Sequence, residues 1–307
     1  MSPVTVAVLA AAVRAGTPVL FATLGEIFAE RAGVLNLGVE GMMLVGALAG
    51  FVVTARTGNP WLGAAAAAAV GAGLSTVHAA LSVTLRANQV ASGLALTIFG
   101  TGLSAFLGKG YVGVPGTGFQ TTPLPVLVQI PVLGPIFFQQ DPLVYLSYLL
   151  VPAAWYLLYR TRWGLHIRAV GECPEAADAM GVDVARVRFA CVVVGGILAG
   201  LGGTFLSTAY TSMWIENMTA GRGWIAVALV IFATWDPLRA VFGAYLFGGV
   251  NALQLHVQAT GTNLPTYLLL MAPYVFTIAV LVLASHETAR KRLGAPAALN
   301  VPYSRTG

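Results

Sequence analysis

"RAVGECPEAADAMGVDVARVRFACVVVGGILAGLGG" (Arg168–Gly203) joins two unlike pieces of chain. The first, Arg168–Arg188, holds seven charged residues in 21, in a protein where only 9% of residues are charged. The second belongs to an apolar run, Val187–Leu206, long enough to cross a hydrocarbon core of about 30 Å as a helix. The charged piece is also built to fold. Pro174 suits a first helical turn, where its missing N–H would be unpaired anyway. Glu175 and Asp178 then lie near the positive end of the helix dipole. Gly181 offers a stop and Asp183 a cap for the next helix, whose first turn carries Arg186 and Arg188 at the lipid interface. The stretch predicts a helix of about two turns over Pro174–Met180, tethered by "RTRWGLHIRAVG". A solvated connector needs no such definition; a docking helix for a soluble partner accounts for its length, capping and mixed charge.

The rest of the chain has the composition of a membrane protein. It has 307 residues, is 57% hydrophobic and has a mean hydropathy of +0.81, which predicts an all-α, polytopic helical bundle. Candidate spans are 4–24, 33–53, 61–85, 90–108, 142–159, 187–210, 222–235, 238–256 and 266–284, within an expected eight to ten transmembrane or broken helices. Val4–Leu24 is read as a span despite Arg14, because the N-terminus lacks a signal-cleavage pattern. The segment 222–235 is short, and with 238–256 it reads as a pair of broken or re-entrant helices, tolerable only when buried in protein. The whole of 1–307 is read as one transmembrane domain, with the charged insert at about 160–188, an external loop at about 109–141 and a tail at about 285–307.

The net charge of +5 reports topology rather than an anionic partner, and no nucleic-acid module is present. With the insert facing the cytoplasm, Arg31, Arg86, Arg160, Arg162, Arg168, Arg186, Arg188, Arg239, Arg290, Lys291, Arg292 and Arg305 fall inside, 12 of 16 basic residues. Arg56, Lys109 and Arg222 fall outside, and Arg14 is buried or near the outer face. The C-terminus is therefore expected inside, and nine spans would put the N-terminus outside. Lys109–Asp141 is rich in Gly and Pro and reads as an ordered outer loop, either a connector or a cap that receives a partner. The 36 glycines, including "GALAG" at 46–50 and "GGILAGLGG" at 195–203, are read as helix-packing surfaces. Cys173 and Cys191 imply no disulfide framework, and no metal-ligand pattern occurs.

"GEIFAERAGVLNLGVEGMMLVGALAGF" (Gly25–Phe51), the insert and "GRGWIAVALVIFATWDPLRAVFGAYLFGGV" resemble the branched-chain amino acid/ribose class of ABC importer permeases. The closest resemblance is to the subgroup for nucleosides or simple sugars, over nearly the whole chain, which would make 1–307 a single permease domain. It implies that Glu172, Pro174, Glu175, Ala176, Ala177, Asp178 and Gly181 form a coupling helix in a cleft of an ATPase subunit. "EAADAMG" (175–181) matches the start of the general importer signature, but the downstream Ile-x-Leu-Pro is missing. The resemblance further implies a second permease (a heterodimer, with a homodimer possible), an extracytoplasmic binding protein, and placement in the bacterial inner membrane. The chain lacks a G-x-x-x-x-G-K-[ST] P-loop, so ATP and Mg are expected on the partner and no cofactor here.

A carboxylate in a membrane helix is a functional candidate by default. Asn36 and Glu40 are four apart and share a face if this stretch is helical, with Gly33, Gly38 and Gly41 allowing a break or a close approach. They either contact a hydroxylated solute in the translocation pathway or hold a broken helix together. Glu26 and Glu30, beside Arg31, are expected on a solvated rim. His78 and His256 are read as helix-packing residues, and Trp214 and Glu216 as an interfacial anchor or a contact for base or binding protein. The solute is expected to be a nucleoside or related purine or pentose, with a simple sugar as the alternative. A proton-coupled transporter would leave the insert unexplained. A membrane enzyme would need a nucleophile–base set that four scattered histidines do not offer.

Overall fold

The structure, a computed structural model, describes residues 2–259, 265–284 and 294–304. Its helices are α1 (Pro3–Arg31), α2 (Val39–Thr57), α3 (Pro60–Ala79), α4 (Gln89–Gly108), α5 (Leu133–Phe137), α6 (Pro142–Arg160), α7 (Arg162–Glu172), α8 (Pro174–Ala179), α9 (Val184–Thr204), α10 (Arg222–Phe232), α11 (Pro237–Ala259) and α12 (Thr266–Ala284). One π-helical turn extends α3 over Ala80–Thr84, and another extends α9 over Phe205–Tyr210. Among the described residues, seven helices are long and apolar enough to cross a membrane: α1, α2, α3, α4, α6, α9 and α11. With the half-length α10 and the apolar α12, the fold is the expected polytopic helical bundle.

Helices α2 and α9 form the interior: 72% and 67% of their apolar stretches are buried, against 28% for α4 at the rim. Lipid supplies little hydrophobic force between helices, so backbone approach through small residues does the packing. A Cβ on Gly46 would sit 2.7 Å from Gly200 Cα, one on Gly25 2.6 Å from the Gly195 carbonyl oxygen, and one on Gly16 2.5 Å from that of Ala244. The glycine-rich runs are therefore the α1–α9, α2–α9 and α1–α11 crossings, as their sequence suggests.

One end of the bundle carries α7 and α8 and is called the insert face. The opposite face is closed by Lys109–Asp141, which is ordered. Its Gly116 N–H donates to the Ser212 carbonyl (3.0 Å) and its Phe119 N–H to that of Thr208 (2.9 Å). Trp214 is no interfacial anchor: it is fully buried, because its ring fills the space left by Gly108. Arg14 finds its acidic partner in Asp141 (3.7 Å) and also donates to the Ala209 carbonyl. Asp141 caps α6 through the N–H groups of Leu143 and Val144. Burial pushes its carboxyl above the usual carboxylate range, against the pull of the Val144 N–H and the Arg14 guanidinium.

Two expectations about the helix boundaries are also corrected. The second span begins at Val39, not near 33, so residues 32–38 are non-helical and Asn36 does not share a helical face with Glu40. Arg222 does not lie at an outer end; it opens α10 beside Glu40, because the chain after α9 turns back into the bundle. Arg290, Lys291, Arg292 and Arg305, with most of the expected tail, lie outside the described residues.

Candidate functional site

Two interrupted segments meet inside the bundle. Along α2, Gly46 and Gly50 stand against Gly200 and Thr204 of α9. Glu40, almost two turns before Gly46, is therefore near mid-depth of the Val184–Tyr210 crossing. There the N-terminus of α2 meets the N-terminus of α10. Glu40 Oε1 accepts from the Thr219 hydroxyl (2.5 Å) and the Gly221 N–H (2.7 Å), and Oε2 from the Gly223 N–H (2.6 Å). A helix start leaves N–H groups without partners, and a carboxylate both satisfies them and complements the dipole. Glu40 is 4% exposed and both of its oxygens are occupied. From this junction α10 runs only 11 residues, about half a crossing, to the insert face.

The other broken piece, residues 32–38, climbs from the insert face to Glu40. Unwound backbone at membrane depth needs partners from protein, and side chains from α3 and α4 supply them. Gln89 accepts from the Leu35 N–H (2.8 Å), His78 Nε2 meets the Leu35 carbonyl (3.1 Å), and the Thr97 hydroxyl donates to that of Leu37 (2.8 Å). His78 Nδ1 pairs with Ser92 (3.0 Å), so this histidine is held at both nitrogens as a packing residue. Asn36 Oδ1 accepts from the Gly38 N–H (3.0 Å) while its Nδ2 donates to Glu26 (3.1 Å). Gly41 lies against α4, where a Cβ would meet the Leu96 carbonyl oxygen at 2.6 Å. Asn36, Gly38, Glu40 and Gly41 are thus brought together and are all buried within the chain.

Glu26 and Glu30 are not a solvated rim. They are 0% and 1% exposed, because residues 32–36 fold back over the end of α1 and the α10–α11 connection covers it. The Trp235 indole N–H donates to Glu30 Oε2 (2.7 Å). Arg31 fastens the same connection by donating to the Trp235 and Thr234 carbonyls and to the Tyr159 hydroxyl.

The charged insert folds as its capping residues predict. α8 covers Pro174–Ala179 with Pro174 in its first turn, Gly181 has φ +83°, and Asp183 accepts from the Arg186 N–H (3.0 Å) to start α9. Pro174 and Ala177 face the bundle, whereas Glu172, Glu175, Ala176 and Gly181 are exposed and Asp178 is half-buried. Met180, at the end of α8, is 84% exposed, an apolar side chain offered to solvent beside charges. A cavity of about 460 Å³ opens next to it, lined by Arg86, Asp178, Asp183 and Tyr303 among others. Cys173 is exposed and Cys191 buried. Among the described residues no group of His, Cys, Asp and Glu is placed to hold a metal ion.

Sequence reasoning missed Thr219, Gly221, Gly223, Gln89, Thr97, Trp235 and Met180. The contacts of the first six join distant segments, so no local signal marks them; only Met180, apolar in a charged helix, stands out in the sequence.

Comparison with known proteins agrees with this architecture. Residues 8–284 match the family model described as branched-chain amino acid transport system / permease component. The chain is 48% identical over 97% of its length to a putative glucose ABC transporter permease protein, TsgC13 of Haloferax volcanii, covering 97% of that protein. It is 38% identical over 87% of its length to the nucleoside ABC transporter permease protein NupC of Lactococcus lactis, covering 88% of it. It is 36% identical over 93% of its length to the guanosine ABC transporter permease protein NupQ of Bacillus subtilis, covering 92% of it. No solved structure matches. A family match across nearly the whole chain, with seven helices among the described residues long and apolar enough to cross a membrane, makes this chain a multi-pass ABC transporter permease of the branched-chain amino acid permease family.

Proposed function

We propose that the chain is the membrane subunit of an importer for nucleosides, driven by a separate P-loop ATPase that docks on α8. The observation that carries this reading is the form of α8. It is a capped helix that buries Pro174 and Ala177 and presents Glu175, Ala176 and Met180 outward, as a docking helix would. The insert face and C-terminus are then cytoplasmic and the membrane is the plasma membrane. ATP and Mg²⁺ belong to the partner. A second permease, most simply a sister chain, completes the pathway, and an extracytoplasmic binding protein delivers solute to the opposite face. Closure of the ATPase dimer pushes α8. The two interrupted segments joined at Glu40 are the elements that can pivot, because their backbone is held by side chains rather than by continuous helix. On this reading Asn36, Gly38, Glu40 and Gly41 hold the pivot and do not bind the solute.

Nucleosides are chosen because two of the three relatives above are named for nucleoside or guanosine transport. A glucose-type sugar is the second reading, favoured by the relative at 48% identity. An uptake panel decides between them. Saturable uptake of guanosine or inosine, with glucose, ribose and galactose failing to compete, supports the first; the reverse pattern replaces it with the second.

A further inference from the structure

We propose that residues 295–304 form a strap that carries movement of α8 to the unwound segment before α2, with Arg188 as its positioning residue. The inference rests on the reading of α8 as an ATPase-docking helix.

A segment with no helix or strand of its own keeps a fixed path only where the rest of the fold ties it down. This one is tied at two separate elements. The Ala298 N–H donates to the Gly171 carbonyl (2.9 Å) in the last turn of α7, the helix leading into α8. The Asn300 N–H donates to the Gly33 carbonyl (3.2 Å), where the unwound segment begins. Between these two bonds lies Arg188, only 3% exposed. Its Nη1 donates to the Val301 carbonyl (2.9 Å) and its Nε to the Ala32 carbonyl (3.1 Å).

The fit admits no side chain at either tie. Gly33 has φ +86°, and a Cβ there would lie 2.9 Å from Arg188 Nη2 and 3.0 Å from the Ala298 carbonyl oxygen. A Cβ on Gly171 would run into the Arg31 carbonyl and sit 3.3 Å from Pro296 Cβ on the strap.

Backbone groups form both ties, so the strap reads the relative position of α7 and residues 32–33. A push on α8 shifts α7 and, through Gly171, the strap. The strap and Arg188 pass that shift to Ala32 and Gly33, and Asn36 passes it on towards Glu40. Without the strap, α8 still docks but reaches the pivot less directly.

The test uses the full complex, with its ATPase and partner permease, in proteoliposomes. ATP hydrolysis and uptake of labelled guanosine (or glucose, if the wild type carries that) are measured together. Ala298→Pro removes the tie to Gly171, and Arg188→Ala removes the bonds that join Val301 of the strap to Ala32, so the second decides if the first fails to assemble. The expected result is a fall of about tenfold in uptake per ATP hydrolysed, with hydrolysis and co-purified ATPase within about twofold of wild type. Arg188→Lys, which keeps the charge but not both bonds, should fall in between. An unchanged ratio of uptake to hydrolysis overturns the proposal, as does a parallel loss of assembly and both activities, which marks a merely structural role. A wild-type complex without any ATPase overturns the docking reading itself, and the control reports that separately.

Discussion

Replacing Glu40 by Gln separates a carboxylate that holds the pivot from one that touches solute. The change is nearly isosteric, but the amide keeps only one acceptor oxygen. That oxygen can still serve Thr219 and Gly221, now through neutral hydrogen bonds of about half the strength. The amide nitrogen then faces the Gly223 N–H, donor against donor, in a buried site. Losing one charge-assisted bond and stranding that N–H costs about 2–4 kcal/mol, and weakening the other two adds about 1 kcal/mol. Against a total stability of about 5–15 kcal/mol this is a large loss. The assay is thermal unfolding of the purified chain in detergent, where Tm should fall by roughly 10 °C. Uptake should fall in proportion to folded protein. If Glu40→Gln unfolds like the wild type yet abolishes uptake, the scaffold assignment is wrong and Glu40 acts on the solute.

Other outcomes follow from the same geometry. Thr219→Val removes one bond to Glu40 and should cost about 1.5 kcal/mol by the same unfolding assay. His78→Ala leaves the Leu35 carbonyl and Ser92 without their partner, and should cost about 1–3 kcal/mol and raise protease cleavage. Gly46→Leu forces apart the α2–α9 crossing, where even a Cβ would stand 2.7 Å from Gly200, and should lower the yield of folded chain. Glu175→Lys reverses an exposed charge on α8; uptake should drop while membrane insertion, followed by accessibility of Cys173, stays normal.

What is legible in the sequence is what is locally encoded. Pro174, Gly181 and Asp183 define α8 because capping acts within one turn. The spans are legible because hydropathy accumulates over about 20 residues. The glycines around Asn36 and Glu40 mark where the chain can break, but Gly33–Phe51 also reads as one apolar run, so the extent of the break over 32–38 is not legible. Its unwinding is enforced by Gln89, His78 and Thr97, up to 60 positions away. Glu26 and Glu30 look solvated beside Arg31, yet Trp235, 205 positions beyond Glu30, seals them in. Of the site, the sequence shows the residues and not their roles: Asn36 and Glu40 stand out, but Thr219, Gly221 and Gly223 do not.

Whether α8 docks an ATPase is decided by a gentle detergent pull-down of the tagged chain from its native membrane, read by mass spectrometry. The expected result is co-purification of a P-loop ATPase, lost in Glu175→Lys. Recovery of the chain alone, still active in reconstituted uptake without ATP, would contradict the docking role of α8 and with it the importer reading.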